Sequence, residues 1–238
     1  MNTSKDPVEL SVVVLSYESN EFIEPFCLQL LNELNGIGQS FEIILVANFD
    51  HKDDTTPQLA KKLENQFNEV KALTFNKEGK MGWDMRMGLQ QASGRYIAVI
   101  DGDGQMPCSD IAVVYKLIKS GSFDLVKTYR SNRLDGFYRS FLSKWYNRLF
   151  HWIYKPPVPL KDVNAKPKIL TREAYLKLHL ISNDWFTDAE IMIQALQNNF
   201  KVCEVATVFY KNERRASFVS IRTIFEFVVN LIKYRIRK

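Results

Sequence analysis

The residues best equipped for chemistry lie in RYIAVIDGDGQ, Arg95 to Gln105, where an apolar run ends in two carboxylates, Asp101 and Asp103, separated by Gly102. Hard divalent cations such as Mg²⁺ or Mn²⁺ take oxygen ligands, commonly one or two carboxylates completed by substrate phosphates and water. Asp103 and the amide oxygen of Gln105 occupy alternate positions just after the run, so both can reach one ion. Gly102 lets a ligand approach the backbone closely. The plainer alternative is a surface turn, because Asp-Gly pairs are ordinary turn formers.

Other groups suit the same kind of substrate. Arg130 and Arg133, in KTYRSNR directly after a strand-like run, are suited to a phosphate, which a guanidinium grips through two parallel hydrogen bonds. A solvated basic loop is the alternative there. Asp188, in WFTDAEI with Glu190 nearby, can take the proton of a sugar hydroxyl that attacks an anomeric carbon. An acceptor that is already anionic, such as a phosphate, needs no such base. Both acids equally suit the positive end of a helix. His51, His151 and His179 lack metal-ligand spacing, which disfavours zinc. Neither a G-x-x-x-x-G-K-S/T loop nor a G-x-G-x-x-G fingerprint occurs, which argues against a nucleoside-triphosphatase or a dehydrogenase.

A sheet must position these groups. Leu10 to Leu15, Phe41 to Ala47 and Tyr96 to Ile100 are continuous apolar runs, the pattern of strands covered on both faces. Stretches with helical spacing, Phe22 to Leu34 and Gln58 to Phe67, separate them, and shorter strands are expected at Val70 to Phe75 and Phe123 to Thr128, the latter after a helix from Asp110 to Lys119 that Gly121 ends. This β-α-β alternation predicts a doubly wound α/β domain over roughly the first 130 residues, with ligands at the carboxyl ends of its strands. The remainder reads as α+β. It has an aromatic and basic helix from Phe137 to Tyr154, a KPPVP break, a strand at Lys168 to Leu170, a helix around Asp188 to Asn198, a strand at Val202 to Tyr210 and a terminal helix from Val219 to Ile236.

The 238 residues are 46% hydrophobic, enough to bury a real core. A net charge of +5 favours anionic partners such as phosphates or an acidic membrane surface. The basic residues are spread through amphipathic helices without a nucleic-acid recognition motif, so no nucleic-acid partner is expected. Cys27, Cys108 and Cys203 form no C-x-x-C pair, and a reducing, cytoplasmic compartment is expected. The first residues lack a signal-peptide pattern, and no run of about 18 apolar residues could span a bilayer. In the Phe137 to Tyr154 helix, Tyr138, Phe141, Leu142, Trp145, Leu149, Trp152 and Ile153 recur largely apart from Arg139, Lys144 and Arg148, an interfacial character. In the terminal helix Arg222, Glu226, Asn230, Lys233 and Arg237 trace a polar stripe beside a wide apolar face. Either helix suits an anionic lipid surface or packing against the domain or a second subunit.

SVVVLSYESNEFIEPF, FEIILVANFDHKDDT, NKEGKMGWDMRMGLQQASGRYIAVIDGDGQMP and WFTDAEIMIQAL together carry a resemblance to the family-2 glycosyltransferases of the GT-A fold. Within that family the chain resembles the polyprenyl-phosphate glycosyltransferases, of which the dolichol-phosphate mannosyltransferases are the type. The resemblance spans nearly the whole chain. It implies a GT-A (nucleotide-diphospho-sugar transferase) domain over residues 1–215, a doubly wound mixed sheet, followed by a basic amphipathic helix over 216–238. It also implies a metal-dependent, inverting transfer of a sugar from a nucleoside diphosphate, assisted by Mg²⁺ or Mn²⁺, to a polyprenyl phosphate at the cytoplasmic membrane face. A sugar hydroxyl of a glycan or lipid-linked oligosaccharide is the alternative acceptor. A nucleotide-sugar-binding adaptor without catalysis is the alternative of another class.

Matching positions carry the expected roles. Ser16 and Tyr17 fall in the first-strand loop that cradles the nucleotide, although Leu15 and Glu18 depart from its usual residues. Ala47 and Asn48 stand where the family has paired aspartates for base and ribose, with Asp50, Asp53 and Asp54 slightly later. Lys80, in NKEGKMG, belongs to the loop beside the sugar nucleotide. Asp101, Gly102 and Asp103 match the nucleotide-sugar motif, with Asp103 and Gln105 on the metal, and Arg130 and Asp188 are the candidate catalytic residues. Lys168 holds a position where an arginine serves acceptor or diphosphate, and Arg214 with Arg215 lies near a late arginine. The partners expected are the donor, the acceptor and a peripheral membrane contact, with a homo-oligomer or an integral-membrane partner as further options.

Overall fold

A computed structural model of the chain describes residues 7–134, 136–212 and 221–236. Seven strands form one mixed sheet: β1 (Leu10–Leu15), β2 (Phe41–Val46), β3 (Val70–Leu73), β4 (Tyr96–Asp101), β5 (Leu125–Arg133), β6 (Lys168–Thr171) and β7 (Val202–Phe209). Their order is β3-β2-β1-β4-β6-β5-β7. The first four are parallel, in keeping with the largely apolar runs of β1, β2 and β4. β6 runs antiparallel between β4 and β5, so the second half of the chain completes the sheet of the first. β7 then pairs parallel with β5.

Both faces are covered. Val12 and Val14 face a core made with α1 (Ile23–Ile37), α2 (Thr56–Gln66) and α4 (Asp110–Lys119). Val13 and Leu15 face a second core made with α3 (Met81–Gln91), α5 (Phe137–Tyr154), α6 (Arg172–Leu176), α7 (Thr187–Gln197) and α8 (Ile221–Ile236). The alternation of strand side chains divides the two cores.

Neither α3 nor α6 was expected from sequence periodicity; in α3, Gly82 and Gly88 weaken the helical signal. The glycines are packing contacts. A Cβ at Gly88 would come 2.3 Å from Val13 Cγ1 and 2.8 Å from Val46 Cγ2, and at Gly82 it would come 2.1 Å from Thr187 Oγ1. Close approach of α3 to β1 and β2, and to the start of α7, needs residues without side chains at both positions.

Candidate active site

The strand register builds the site. Leu15 at the end of β1 lies opposite Asp101 at the end of β4, and the Gly102 amide donates to the Leu15 carbonyl at 2.8 Å. A side chain at Gly102 would meet Ser16 Oγ at 2.8 Å, so the glycine keeps this crossing open. Ser16 Oγ is buried and has no hydrogen-bond partner among the described residues. Beyond Gly102 the loop folds on itself. Asp103 Oδ1 accepts from the Gln105 amide at 3.0 Å, and Gln105 Nε2 donates to the Tyr210 carbonyl at 2.9 Å. The Gln105 side-chain nitrogen is thus engaged.

Asp101 does not stand alone. Lys166 Nζ lies 3.1 and 3.2 Å from its carboxylate oxygens and 2.9 Å from Asp188 Oδ2. Lys168 Nζ lies 2.5 Å from Asp188 Oδ1. Asp188, Lys166 and Lys168 are 2%, 4% and 1% exposed, so this is a buried chain of alternating charge with Asp101 at its outer end. Burial works against every ion in it, but pairing decides which way each group shifts. Burial pushes the Asp188 carboxyl up, but Lys166 and Lys168 outweigh it and hold the group below the usual carboxylate range. Burial pulls Lys166 down, but Asp101 and Asp188 outweigh it and hold the ammonium above the usual lysine range. Lys168 has Asp188 as its one described carboxylate and two lysines near it, so burial prevails and lowers it to about 8.

These shifts predict a pH dependence. A carboxylate whose folded pKa is depressed adds stability above its unfolded value, and that stability is lost as the pH falls. The gap in melting temperature between the native protein and Asp188→Asn is therefore expected to be constant above the ordinary aspartate value of 3.8 and to narrow below it. Thermal melts from pH 3 to 7 check this.

Arg130, expected to grip a phosphate, grips Asp162 instead, with Nε at 2.6 Å and Nη2 at 2.7 Å from its two carboxylate oxygens. Its guanidinium also stacks over the Phe209 ring. Beside it the fully buried Lys127 is held by Glu204 at 3.1 Å and by the Asp162 carbonyl. The backbone of Arg133 ends β5; its side chain, with Arg214 and Arg215, lies outside what the structure describes.

At the end of β2, Asn48 is fully buried. Its amide donates to Asp84 Oδ1 at 2.9 Å and accepts from the Phe75 amide at 2.9 Å, so it joins β2 to α3. Asp84 pairs with Lys77, whose ammonium sits 4.2 Å from the centre of the Tyr17 ring. The Tyr17 hydroxyl donates to Asp50 at 2.8 Å, and burial followed by that bond raises its pKa. Lys80, half exposed, is bound by both oxygens of Glu226 in α8 at 2.9 and 2.7 Å. Asn230 reaches Asp184 at 2.6 Å. Glu226 and Asn230, read from the sequence as part of a polar stripe, therefore help fasten α8 to the domain, beside Leu231 buried in the second core. The outward positions include Ile232 and Ile236. In α5, Tyr146 and Phe150 are buried while Phe141, Trp145 and Trp152 are exposed, so this helix serves the core with one side and leaves aromatic rings outside with the other.

A metal fits the donor set in one way. Asp103 and Gln105 offer a carboxylate and an amide oxygen, an incomplete hard shell of the kind that substrate phosphates complete. Among the described residues, one set of three acidic or imidazole groups has ligand atoms within 4.8 Å of one another, Glu18, Asp50 and His51, on the exposed rim beside Tyr17. Cys27 and Cys108 are buried thiols pushed up to about 12 by desolvation, which makes them inert as ligands or nucleophiles. An open cleft lined by Phe49, Pro57 and Lys61 lies against α2, among none of the residues of the Asp101 network.

Sequence reasoning missed Lys166 and Asp162, and the tie of Glu226 to Lys80. Lys166 and Lys168 flank a proline at the start of a buried strand, and Asp188 and Glu190 interrupt the apolar run of α7. Charges placed inside apolar elements have to pair, and that was the available signal.

A family model described as Glycosyl transferase family 2 matches residues 11–181. A protein named dolichol-phosphate mannosyltransferase from Pyrococcus furiosus is 26% identical over 235 residues, which cover 97% of this chain and 64% of that relative. An undecaprenyl-phosphate 4-deoxy-4-formamido-L-arabinose transferase from Proteus mirabilis is 27% identical over 150 residues, 63% of this chain and 45% of the relative. The chain spans less than two thirds of the length of either. Among solved structures, glucosyl-3-phosphoglycerate synthase from Mycobacterium tuberculosis, in complex with Mn²⁺, UDP and glucosyl-3-phosphoglycerate, superposes with a TM-score of 0.72 at 12% identity, over 96% of this chain and 80% of that one. At that identity the likeness is one of fold.

Proposed function

The chain belongs to glycosyl transferase family 2, and on that premise we propose that it moves a sugar, with inversion, from a nucleoside-diphosphate sugar to a polyprenyl phosphate at the cytoplasmic face of a membrane. The observation that carries the choice of acceptor is the state of Asp188. It is buried and paired with two ammonium groups, which hold its carboxyl below the usual range. A carboxylate so placed is a poor proton acceptor for a hydroxyl. A phosphate arrives already anionic and needs none.

The donor lies, in this reading, across the carboxyl ends of β1 and β4. Tyr17 and Lys77 form a face for the base, Asn48 fixes the end of β2 beneath it, and Ser16 and Gly102 leave room for the backbone to meet the diphosphate. Asp101, held by Lys166, orients the sugar nucleotide, and Lys80 leaves Glu226 for a phosphate oxygen. Lys168 and Arg130 act through Asp188 and Asp162, as positioning residues, while Arg214 retains the role of a second phosphate contact. Mg²⁺ or Mn²⁺ held by Asp103 and Gln105 would neutralise charge as the diphosphate departs. The curated relatives named for dolichol and undecaprenyl phosphates support the acceptor class.

The exposed rings of α5 support a membrane contact. Among the described residues no helix is long and apolar enough to cross a membrane, whereas Phe141, Trp145 and Trp152 follow one another at helical spacing on the outside of α5, with Lys144 and Arg148 between them. Such a face suits the headgroup boundary of an anionic leaflet. Replacing Trp145 and Trp152 together by Glu is expected to weaken flotation with anionic vesicles by about tenfold or more, without lowering the melting temperature. The function itself is tested by transfer of labelled sugar from a panel of sugar nucleotides to polyprenyl phosphate, with binding but no turnover marking an adaptor.

A further inference from the structure

Lys80 caps the start of α3, and the carboxylate it holds comes from α8. Its backbone amide donates to the Asn183 carbonyl at 2.6 Å, and the Gly82 amide donates to the Asp184 carbonyl at 2.8 Å. The start of α3 is thereby joined to the segment that leads into α7. One turn further along α3, Asp84 holds both Asn48 at the end of β2 and Lys77, whose ammonium lies over the Tyr17 ring. Lys80 therefore stands at the positive end of α3, one turn from the residue that ties together the face proposed for the base.

Both oxygens of Glu226 bind the Lys80 ammonium, at 2.9 and 2.7 Å. The two side chains are 47% and 29% exposed, so water reaches the pair. α8 does not depend on this pair alone for its seat. Asn230 donates to Asp184 at 2.6 Å, the Tyr234 hydroxyl accepts from Gln194 at 2.8 Å, and the Tyr154 hydroxyl donates to the carbonyl of the fully buried Leu231 at 2.9 Å. Glu226 can release Lys80 while these contacts keep α8 in place.

We propose that Glu226 is an internal competitor of the donor: its carboxylate occupies Lys80 in the free protein, a donor phosphate displaces it, and the exchange sets donor affinity. The inference rests on the reading of Lys80 as a phosphate contact. Magnitudes favour the exchange. An exposed ion pair shifts an equilibrium by about fivefold at most, whereas breaking a buried one, such as Lys168 with Asp188, shifts it by more than about a hundredfold. A diphosphate carries more negative charge than one carboxylate, so it displaces Glu226 at modest cost. The coupling is reciprocal. Bound donor frees Glu226 and loosens that part of α8, and whatever draws Glu226 off Lys80 strengthens donor binding.

A nucleoside diphosphate is the probe, since it carries the phosphates without the sugar. Titration calorimetry with UDP and with GDP, in Mn²⁺, measures affinity in the native chain, Glu226→Gln, Lys80→Met and the double variant. Glu226→Gln is expected to bind nucleotide about two- to fivefold more tightly than the native chain, and the gain to shrink at high salt. Lys80→Met is expected to bind about tenfold more weakly, and in that background Glu226→Gln should add nothing. Glu226→Ala serves as a second neutral variant should the glutamine form not fold.

Affinity that is unchanged or lower in the neutral Glu226 variants, with Lys80→Met still weakened, would make Glu226 a tie for α8 only and overturn the inference while leaving Lys80 as a phosphate contact. A gain that persists in the Lys80→Met background would also overturn it, because the lost charge would then act without Lys80. Native affinity in Lys80→Met ends the reading of Lys80, and this inference with it. Failure of both nucleotides to bind any form does the same.

Discussion

Asp103→Asn is expected to lower sugar transfer by about a thousandfold or more while shifting the melting temperature by no more than about 2 °C. The two expectations come from different atoms. Among the described contacts of the side chain, Oδ1 accepts a bond from the Gln105 amide, which an asparagine oxygen can also accept. What the substitution removes is the negative charge, and with it the hard anionic ligand that the proposed function gives to the cation offsetting the leaving diphosphate. Initial rates with labelled donor, with melts in the same buffer, separate the two. A large fall in melting temperature would assign Asp103 to the scaffold.

The second large effect is on stability. Asp188→Ala leaves Lys168 buried without its one described carboxylate, and breaking a buried pair from one side costs about 3–5 kcal/mol. For a chain of this size that is a fall of roughly 10 °C in melting temperature. Substituting both ends, Asp188→Leu with Lys168→Met, is expected to recover most of the loss, since apolar side chains of similar volume replace such pairs at little cost. Asp188→Asn keeps the shape and separates stability from chemistry. Assayed well below its melting temperature, it should retain transfer to polyprenyl phosphate within about tenfold of native turnover. A loss of the 10²–10⁴ order associated with a missing general base in a folded protein would return the acceptor to a hydroxyl.

How much of this was legible follows from range. Strands β1, β2 and β4 are visible because their apolar runs are local, and Asp101 is visible because it ends such a run. The mixed sheet was expected, but not the place of β6, since a four-residue strand takes its position from partners distant in sequence. Asn48 was noticed as a departure from paired aspartates; that it would tie β2 to α3 through Asp84 depended on a helix hidden by its glycines. The same holds for charge. A sequence shows that Arg130, Lys168 and Asp188 are ionic, but not that Asp162, 32 residues away, would hold the first, or that Lys166 would stand between Asp101 and Asp188. Residues that pair within buried space are fixed by tertiary contacts, and the positioning roles proposed for Arg130 and Lys168 rest on their pairs with Asp162 and Asp188.

Incubating the protein with polyprenyl phosphate and a panel of labelled sugar nucleotides, in Mn²⁺ or in excess chelator, tests the account most directly. The expected result is one labelled glycolipid, formed from one or a few donors and abolished by chelation. Donor turnover that persists undiminished in chelator, or no turnover of any donor with either water or lipid as acceptor, would contradict it.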